Sequence, residues 1–384
     1  MKIKQINQVE WKEVELKEIA QFVNGRAFKP SEWEPKGKLI IRIQDLTGSI
    51  TNPNYTTKKF EGKYLVKRGD LLISWSATLD AFIWDKEEGW LNQHIFKVVP
   101  KGDFIDKEYL FYFVKRSINL FMRETHGSTM KHITKGRFES IKIPLPPFPT
   151  QKAIVSILEK AEHLKEKRKQ TLEFLDDYLK SVFSEVFLKE KFEEKEIREL
   201  CDTTSGGTPS RIKKEYWENG TILWVKSGEL DKGYIHNTEE KITELGLKNS
   251  SAKYLEPNTV LIAMYGASVG KISMLKIRAT TNQAICSLIP KDNNLLNNIY
   301  LLYFLGSIKK KLVSSSFGGG QPNISQQVIK SIKIPLPPLK LQQTFASIVE
   351  HVEKIKEKQK QSLEEIEQLN GVLMQKAFKG ELVR

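Results

Sequence analysis

Apolar residues between positions 150 and 187 recur every three or four places: Ile154, Ile157, Leu158, Ala161 and Leu164, then Leu172, Leu175, Leu179, Val182 and Phe183. That is the period of an α-helix with one apolar stripe. A second series repeats it at Phe345, Ile348, Val349, Val352, Ile355, Leu363, Ile366, Leu369 and Leu373. Both series are interrupted at the same place, the first over Lys165–Thr171. Pro144, Pro146, Pro147 and Pro149 exclude helix before about residue 150, which makes Thr150 the expected N-cap. The stripes are too narrow for a core helix and fit a two-helix coiled coil, with the two series as partners. About 35 residues at the helical rise make a rod of roughly 50 Å.

The stretches before the helices are patterned differently. Short β-prone runs such as Leu71–Trp75 and Val260–Met264 follow turn signals, Arg68-Gly69-Asp70 and Glu256-Pro257-Asn258. An amphipathic helix is expected over Asp106–Met122. Each long helix is thus preceded by a mixed α+β domain.

The chain is internally duplicated. Ser140-Ile-Lys-Ile-Pro-Leu-Pro-Pro147 returns as Ser331-Ile-Lys-Ile-Pro-Leu-Pro-Pro338, 191 residues later, and 140–178 matches 331–369 at 20 of 39 positions without a gap. Tyr109-Leu-Phe-Tyr-Phe113 aligns with Tyr300-Leu-Leu-Tyr-Phe304, and Asn92-Gln93 with Asn282-Gln283. The predicted fold class is α+β: two globular α/β domains in tandem duplication, separated by two long helices that pair as an antiparallel coiled coil with pseudo-twofold symmetry. The expected boundaries are 1–149 and 191–340 for the domains, 150–190 for the central helix and 341–384 for the C-terminal one. Repeated scaffolds with divergent detail suggest two related but different targets.

Composition narrows the function. With 40% hydrophobic and 28% charged residues, the 384-residue chain can bury real cores, which excludes disorder as its main state. The formal net charge is +14, of which residues 1–139 carry +6 and residues 191–330 carry +5. An excess of that size in the two domains favours a polyanion, first of all duplex DNA. No apolar run reaches membrane-span length, and Met1-Lys-Ile-Lys-Gln5 opens no signal peptide. The expectation is a cytoplasmic protein without membrane contact. Two cysteines, Cys201 and Cys286, with no C-x-x-C, fit a reducing compartment and no zinc site.

Motifs for catalysis fail on inspection. Gly266-Ala-Ser268-Val-Gly270 has the spacing of a nucleophile elbow, but its surroundings do not read as the strand–turn–helix that an elbow needs, and Ser76-Ala-Thr-Leu-Asp80 lacks both glycines. As a phosphate loop, Gly266–Lys271 is one residue short and has Ile272 in place of the magnesium-binding hydroxyl. Leu145-Pro-Pro-Phe148 has the outline of an amino-methyltransferase motif, but leucine cannot hold an amine. The six histidines form no metal-ligand spacing. No metal site, catalytic residue or cofactor is expected in this chain.

The doubled proline–helix motif, with Gln151 and Gln342 and a charged helix behind each copy, resembles the specificity subunit of type I restriction–modification systems. Ala377-Phe-Lys-Gly-Glu-Leu382 is similar to that family's ending. Gly206-Gly-Thr-Pro-Ser210 with Tyr216-Trp217, Tyr265-Gly-Ala-Ser-Val-Gly-Lys271 and Asn282-Gln283 are similar to motifs of its target recognition domains. The resemblance spans essentially the whole chain. It implies a non-catalytic subunit in which each target recognition domain reads half of a split, asymmetric DNA site. The helices would set the gap and dock two modification subunits. Those partners would bind S-adenosylmethionine, and restriction subunits would use ATP and Mg. Domain one departs from the pattern, with Asn24-Gly-Arg-Ala-Phe28 for the glycine motif and Trp75-Ser-Ala-Thr78 for Tyr265-Gly-Ala-Ser268, which leaves the target open.

Bases are read by Arg, Asn, Gln, Ser and Thr, and phosphates are held by Lys and Arg. The candidates are Arg26, Arg42, Gln44, Asn92, Gln93, Lys131 and His132 in domain one. In domain two they are Thr208, Ser210, Arg211, Lys226, Lys271, Gln321 and Asn323. Asn92-Gln93 and Asn282-Gln283 serve equally as a structural turn shared by both copies. Phe174, Phe183 and Phe187, placed outside the pairing seam, are the candidates for docking the modification subunits. A two-copy chain needs no partner copy, so a monomer is expected. The competing classes are a standalone bipartite DNA-binding regulator and a scaffold that binds nucleic acid without sequence preference.

Overall fold

A computed structural model describes residues 11–49, 52–76, 78–124, 135–231, 233–314 and 323–383. Lys131, His132 and Gln321 lie outside these residues. The chain divides into two compact units, 1–169 with 361–384, and 170–360. Each unit takes one globular domain, the first half of one long helix and the second half of the other.

In unit 1, a four-stranded sheet runs in the order Ala20–Asn24, Ile95–Pro100, Leu71–Ser74, Asp80–Ile83, with antiparallel neighbours throughout. A second sheet runs Tyr55–Thr56, Lys38–Ile41, Gly89–Leu91, Leu65–Val66. Its central pair is parallel, with Ile41 beside Leu91. The helix α1 (Lys107–Glu124) follows. The Asp106 carboxylate accepts from the Tyr109 amide at 2.9 Å, as an N-cap does. Lys12–Glu15 pairs antiparallel with Lys142–Leu145, which ties the start of the domain to the proline segment.

The helix α2 (Phe148–Phe183) starts two residues before the expected boundary. Pro149 sits in its first turn, where no intrahelical N–H is needed, so the proline does not delay the helix. Thr150 therefore lies inside the helix and is not its N-cap. Its first turns are core: Ile154 and Leu158 are fully buried with Leu16, Leu71, Tyr109 and Phe113. The expectation that neither long helix belongs to a core is thus corrected at the helix ends.

Unit 2 repeats the plan. Its larger sheet runs Cys201–Ser205, Ile285–Pro290, Val260–Ala263, Ile272–Leu275, Gly233–Ile235, and its smaller one Glu240–Ile242, Ile222–Val225, Thr280–Thr281. Again the smaller sheet contains a parallel pair, Val225 beside Thr281. The helix α3 (Asn298–Ser314) and the helix α4 (Leu339–Ala377) correspond to α1 and α2.

Within each unit the long helices pair antiparallel. In unit 1, Glu162, Lys165 and Arg168 of α2 meet Asn370, Glu367 and Ser362 of α4 at 2.7, 3.7 and 3.3 Å. In unit 2, Asp176 meets Lys356 at 2.6 Å and Phe183 packs edge-on to Phe345. The interruption of the apolar stripe at 165–171 is where polar pairs take over the contact. The helix ends close the cores. Phe378 packs on Tyr109 and Phe113 in unit 1, with ring centroids 5.2 and 5.3 Å apart. Phe187, 191 residues before Phe378, packs on Tyr300 in unit 2 at 4.9 Å.

Candidate nucleic-acid interface

In domain one the strand Ala20–Asn24 leads into Gly25. A Cβ here would lie 1.8 Å from the Asn92 carbonyl oxygen, so only glycine lets the two loops touch. The next residue is locked into place: Arg26 donates its N–H to Leu91 O at 3.0 Å, and Gln93 donates to Arg26 O at 2.8 Å. Asn92 donates to Ile41 O at 3.2 Å, beside Arg42, whose own N–H is taken by Asp45 at 2.9 Å. Arg26, Arg42, Asn92 and Gln93 are therefore brought together from three distant segments. Gln44 is exposed on the short helix Ile43–Thr47 that follows Arg42.

Domain two builds the same frame from different residues. Gly206 follows the strand Cys201–Ser205, and a Cβ there would be 2.0 Å from Thr281 O. Gly207 donates to Thr281 O at 2.9 Å, and Asn282 donates to Val225 O at 3.0 Å. Lys226 then occupies the place of Arg42, its N–H bound by Glu229 at 2.7 Å. Thr208, Arg211, Trp224, Lys226, Glu239 and Asn282 line an open cleft of about 580 Å³. The side chain of Asn282 accepts from the Ala284 amide at 3.2 Å, and its neighbour Gln283 accepts from the Thr208 hydroxyl. In domain one the backbone of Asn92-Gln93 ties the same loops together, through Ile41 O and Arg26 O.

Lys271 is tied to the cleft's rim, with its ammonium 3.0 Å from Asp231 and 3.4 Å from Gly228 O. Asn323 pairs with Tyr265 in an isolated bridge on the far side of the Gly266–Ser268 turn. That turn joins Val260–Ala263 to the antiparallel Ile272–Leu275, which is a hairpin and not a nucleophile elbow. The Ser210 carbonyl accepts from the Trp217 indole at 3.1 Å.

Most of these cations are already paired. Arg26 binds Glu32 at 2.8 Å and lies 4.2 Å from the Phe60 ring centroid and 4.8 Å from that of Phe28. Arg211 binds Glu240 and lies 3.6 Å above the Trp217 ring. Lys226 reaches Glu239 at 2.8 Å and Glu240 at 3.0 Å. The Arg26 guanidinium holds the Glu32 carboxyl below the usual range, and Arg211 does the same to Glu240. Asp45 moves the other way, because burial outweighs its hydrogen bond from Arg42. The Arg211 and Lys226 pairs are partly exposed and the Arg26–Glu32 pair is largely enclosed, so the carboxylates hold these cations in set positions.

Sequence reasoning missed the partners that orient these cations, Glu32 and Glu240. It also missed Ile212, which is 93% exposed between Arg211 and Lys213. An isoleucine inside the polar run Ser210-Arg-Ile-Lys-Lys214 was the available signal. A larger depression in domain one, about 910 Å³, contains none of the candidates and mixes Lys38, Lys67, Arg68 and Lys86 with Asp85, Glu87 and Glu88. So near a balance of signs does not select a polyanion.

The docking candidates separate. Phe174 is 68% exposed. Phe183 and Phe187 are 2% and 1% exposed, and both pack against Tyr300 and Phe345. Their placement outside the seam is corrected: they close the core of unit 2 and present no surface to a partner. Cys201 and Cys286 are free and buried, and among the described residues no three His, Cys, Asp or Glu side chains cluster as a metal site. Among the described residues no helix is long and apolar enough to cross a membrane.

One backbone frame is built twice and fitted with different basic and polar side chains. Comparison with known proteins identifies the class. The family model for the type I restriction modification DNA specificity domain matches residues 8–174 and again 189–368, and the chain belongs to that family. Its members are the non-catalytic DNA-recognition subunits of type I restriction–modification systems. The specificity subunit of the Escherichia coli type I restriction enzyme EcoR124I/EcoR124II is 26% identical over 83% of this chain and 84% of its own. That of MjaVIII from Methanocaldococcus jannaschii is 28% identical over 83% of this chain and 80% of its own. The solved S subunit from M. genitalium shares the fold with a TM-score of 0.56, at 18% identity over 98% of each chain. A chain from a type I R-M system studied for its assembly and conformational transition gives a TM-score of 0.62, at 19% identity over 99% of this chain and 100% of its own.

Proposed function

We propose that this chain recognises a bipartite, asymmetric duplex DNA site, one half per domain. Residues 1–149 and 191–340 act as the target recognition domains, and 150–190 and 341–384 as the helices that fix the gap between half-sites. The observation that carries the reading is the shared frame with unlike fittings. Gly25, Arg42 and Asn92 in one domain match Gly206, Lys226 and Asn282 in the other, while Arg26 stands where the second domain has Gly207. A common frame gives both domains the same approach to a duplex, and different side chains on it read different bases. Arg26, Arg42, Gln44, Asn92, Gln93, Lys131 and His132 contact one half-site. Thr208, Ser210, Arg211, Lys226, Lys271, Gln321 and Asn323 contact the other.

The chemistry is delegated. Two modification subunits dock on the helices, with Phe174 as the exposed apolar contact, and restriction subunits complete the cytoplasmic complex. S-adenosylmethionine, ATP and Mg belong to those partners. The experiment is selection from a random duplex library by the chain alone and by the chain with its modification subunits. Two short enriched blocks at one fixed separation support the reading. Enrichment by the chain alone that the partner leaves unchanged favours a standalone regulator, and salt-sensitive binding without enrichment favours a nonspecific scaffold.

A further inference from the structure

The Gly206–Lys214 loop is held more tightly than a surface loop needs to be. Trp224, 1% exposed, donates its indole N–H to Gly207 O at 2.9 Å, and Trp217 donates to Ser210 O at 3.1 Å. The two indoles meet edge to face with centroids 5.0 Å apart. The guanidinium carbon of Arg211 lies over Trp217, 3.6 Å from its centroid and 5.1 Å from that of Trp224. Glu240 grips one end of its guanidinium, NH1. Among the described residues the hydrogen bonds of Arg211 end there, so the NH2–Nε edge of the fork remains open on the rim of the cleft. A guanidinium presents five donors in a fixed plane, and one edge matches O6 and N7 of guanine. Fixing the plane beforehand removes rotamer entropy that binding would otherwise cost.

Beside it, Ile212 stands 93% exposed among Ser210, Lys213 and Lys214. An apolar side chain flanked by cations suits a groove surface, where phosphates meet the lysines and base edges meet the isoleucine. Domain one clamps an arginine from unrelated positions, but more tightly. Arg26 gives NH2 to Glu32 at 2.8 Å and lies against Phe28 and Phe60. Its NH1 is buried and its NH2 is held by Glu32, so neither terminal nitrogen of Arg26 is free at the surface.

We propose that Arg211 reads a guanine through the open edge of its guanidinium, with Glu240 and Trp217 as the residues that position it. The proposal deepens the reading of the two domains as half-site readers and rests on it. The half-site read by domain two therefore contains a G·C pair that depends on Arg211.

The test is the random-duplex selection with the full chain and its modification subunits, repeated with Arg211→Lys, Arg26→Lys and Glu240→Gln, and with thermal unfolding measured for each. Lysine keeps the charge and loses the fork. Arg211→Lys is expected to erase one guanine in one half-site and to weaken binding to the wild-type consensus about 10- to 100-fold. Arg26→Lys is the control and is expected to leave that guanine in place. Glu240→Gln, which also releases Lys226, is expected to blur the Arg211 position and to leave the other half-site unchanged. A purely structural pair would lower the unfolding temperature and leave the consensus intact, and that result overturns the proposal. A wild-type consensus in which neither half-site holds a G·C pair overturns it too. Failure of the wild-type complex to select any bipartite consensus would instead overturn the functional reading, and this inference with it.

Discussion

Gln151 and Gln342, 191 residues apart, make the same three hydrogen bonds in their two units. Gln151 donates to Phe104 O and Pro146 O, each at 2.9 Å, and accepts from the Asp106 amide at 2.8 Å. Gln342 donates to Leu295 O at 3.0 Å and Pro337 O at 2.9 Å, and accepts from the Asn297 amide at 2.9 Å. Both side chains are fully buried. Each glutamine therefore staples the first turn of a long helix to the start of the preceding helix and to the proline segment.

Replacing either glutamine by glutamate keeps the shape and removes both donors. Two buried carbonyls then face a carboxylate, and each unpaired polar group costs about 1–3 kcal/mol. Gln151→Glu is expected to destabilise unit 1, and Gln342→Glu unit 2. Hydrogen exchange of α1 and α3 reads the two separately. Equal loss of protection in both units by one substitution would contradict the assignment.

Phe378 and Phe187 close the two cores in matching fashion. Phe378→Ala is expected to cost about 3–5 kcal/mol, as aromatic deletions in cores do. The loss should appear in the protection of Lys107–Ile118, because the ring packs on Tyr109 and Phe113. Unfolding by denaturant, followed by exchange, checks it. A change below about 1 kcal/mol would place the ring in solvent.

Cys201 and Cys286 give a pH prediction. Burial pushes both thiols from the ordinary 9.0 up to about 12. The unfolded chain loses these protons first, so the stabilisation is complete below pH 9 and is lost as pH rises from 9 to about 12. A disulfide reagent at pH 8 is expected to react with neither thiol in the folded chain and with both in denaturant. Rapid labelling of the folded chain would contradict their burial.

The scaffold was legible in the sequence because duplication writes it twice. The 191-residue offset gave the two domains, the paired helices and the glutamines, and the matched interruption of the stripe gave the pairing. The helix ends were misread for a physical reason. Periodicity sees Phe183 and Phe187 leave the seam, but it cannot see Tyr300 and Phe345, more than a hundred residues on, waiting to cover them. Pro149 was read as a barrier although the first helical turn accepts it. At the interface, Arg211 and Lys226 were visible as cations, whereas Glu240 was not, because it is 29 residues from Arg211 and comes beside it only through the smaller sheet.

The central claim is that two domains read two half-sites at one separation set by the helices. The most direct measurement is competition binding by the full chain with its modification subunits, using the selected duplex and versions with one base pair added to or removed from the gap. Each base pair turns the far half-site by about a tenth of a helical turn as well as shifting it. The account predicts at least about a tenfold loss of affinity for both altered duplexes, back toward the nonspecific level. Unchanged affinity across all three gaps would contradict it.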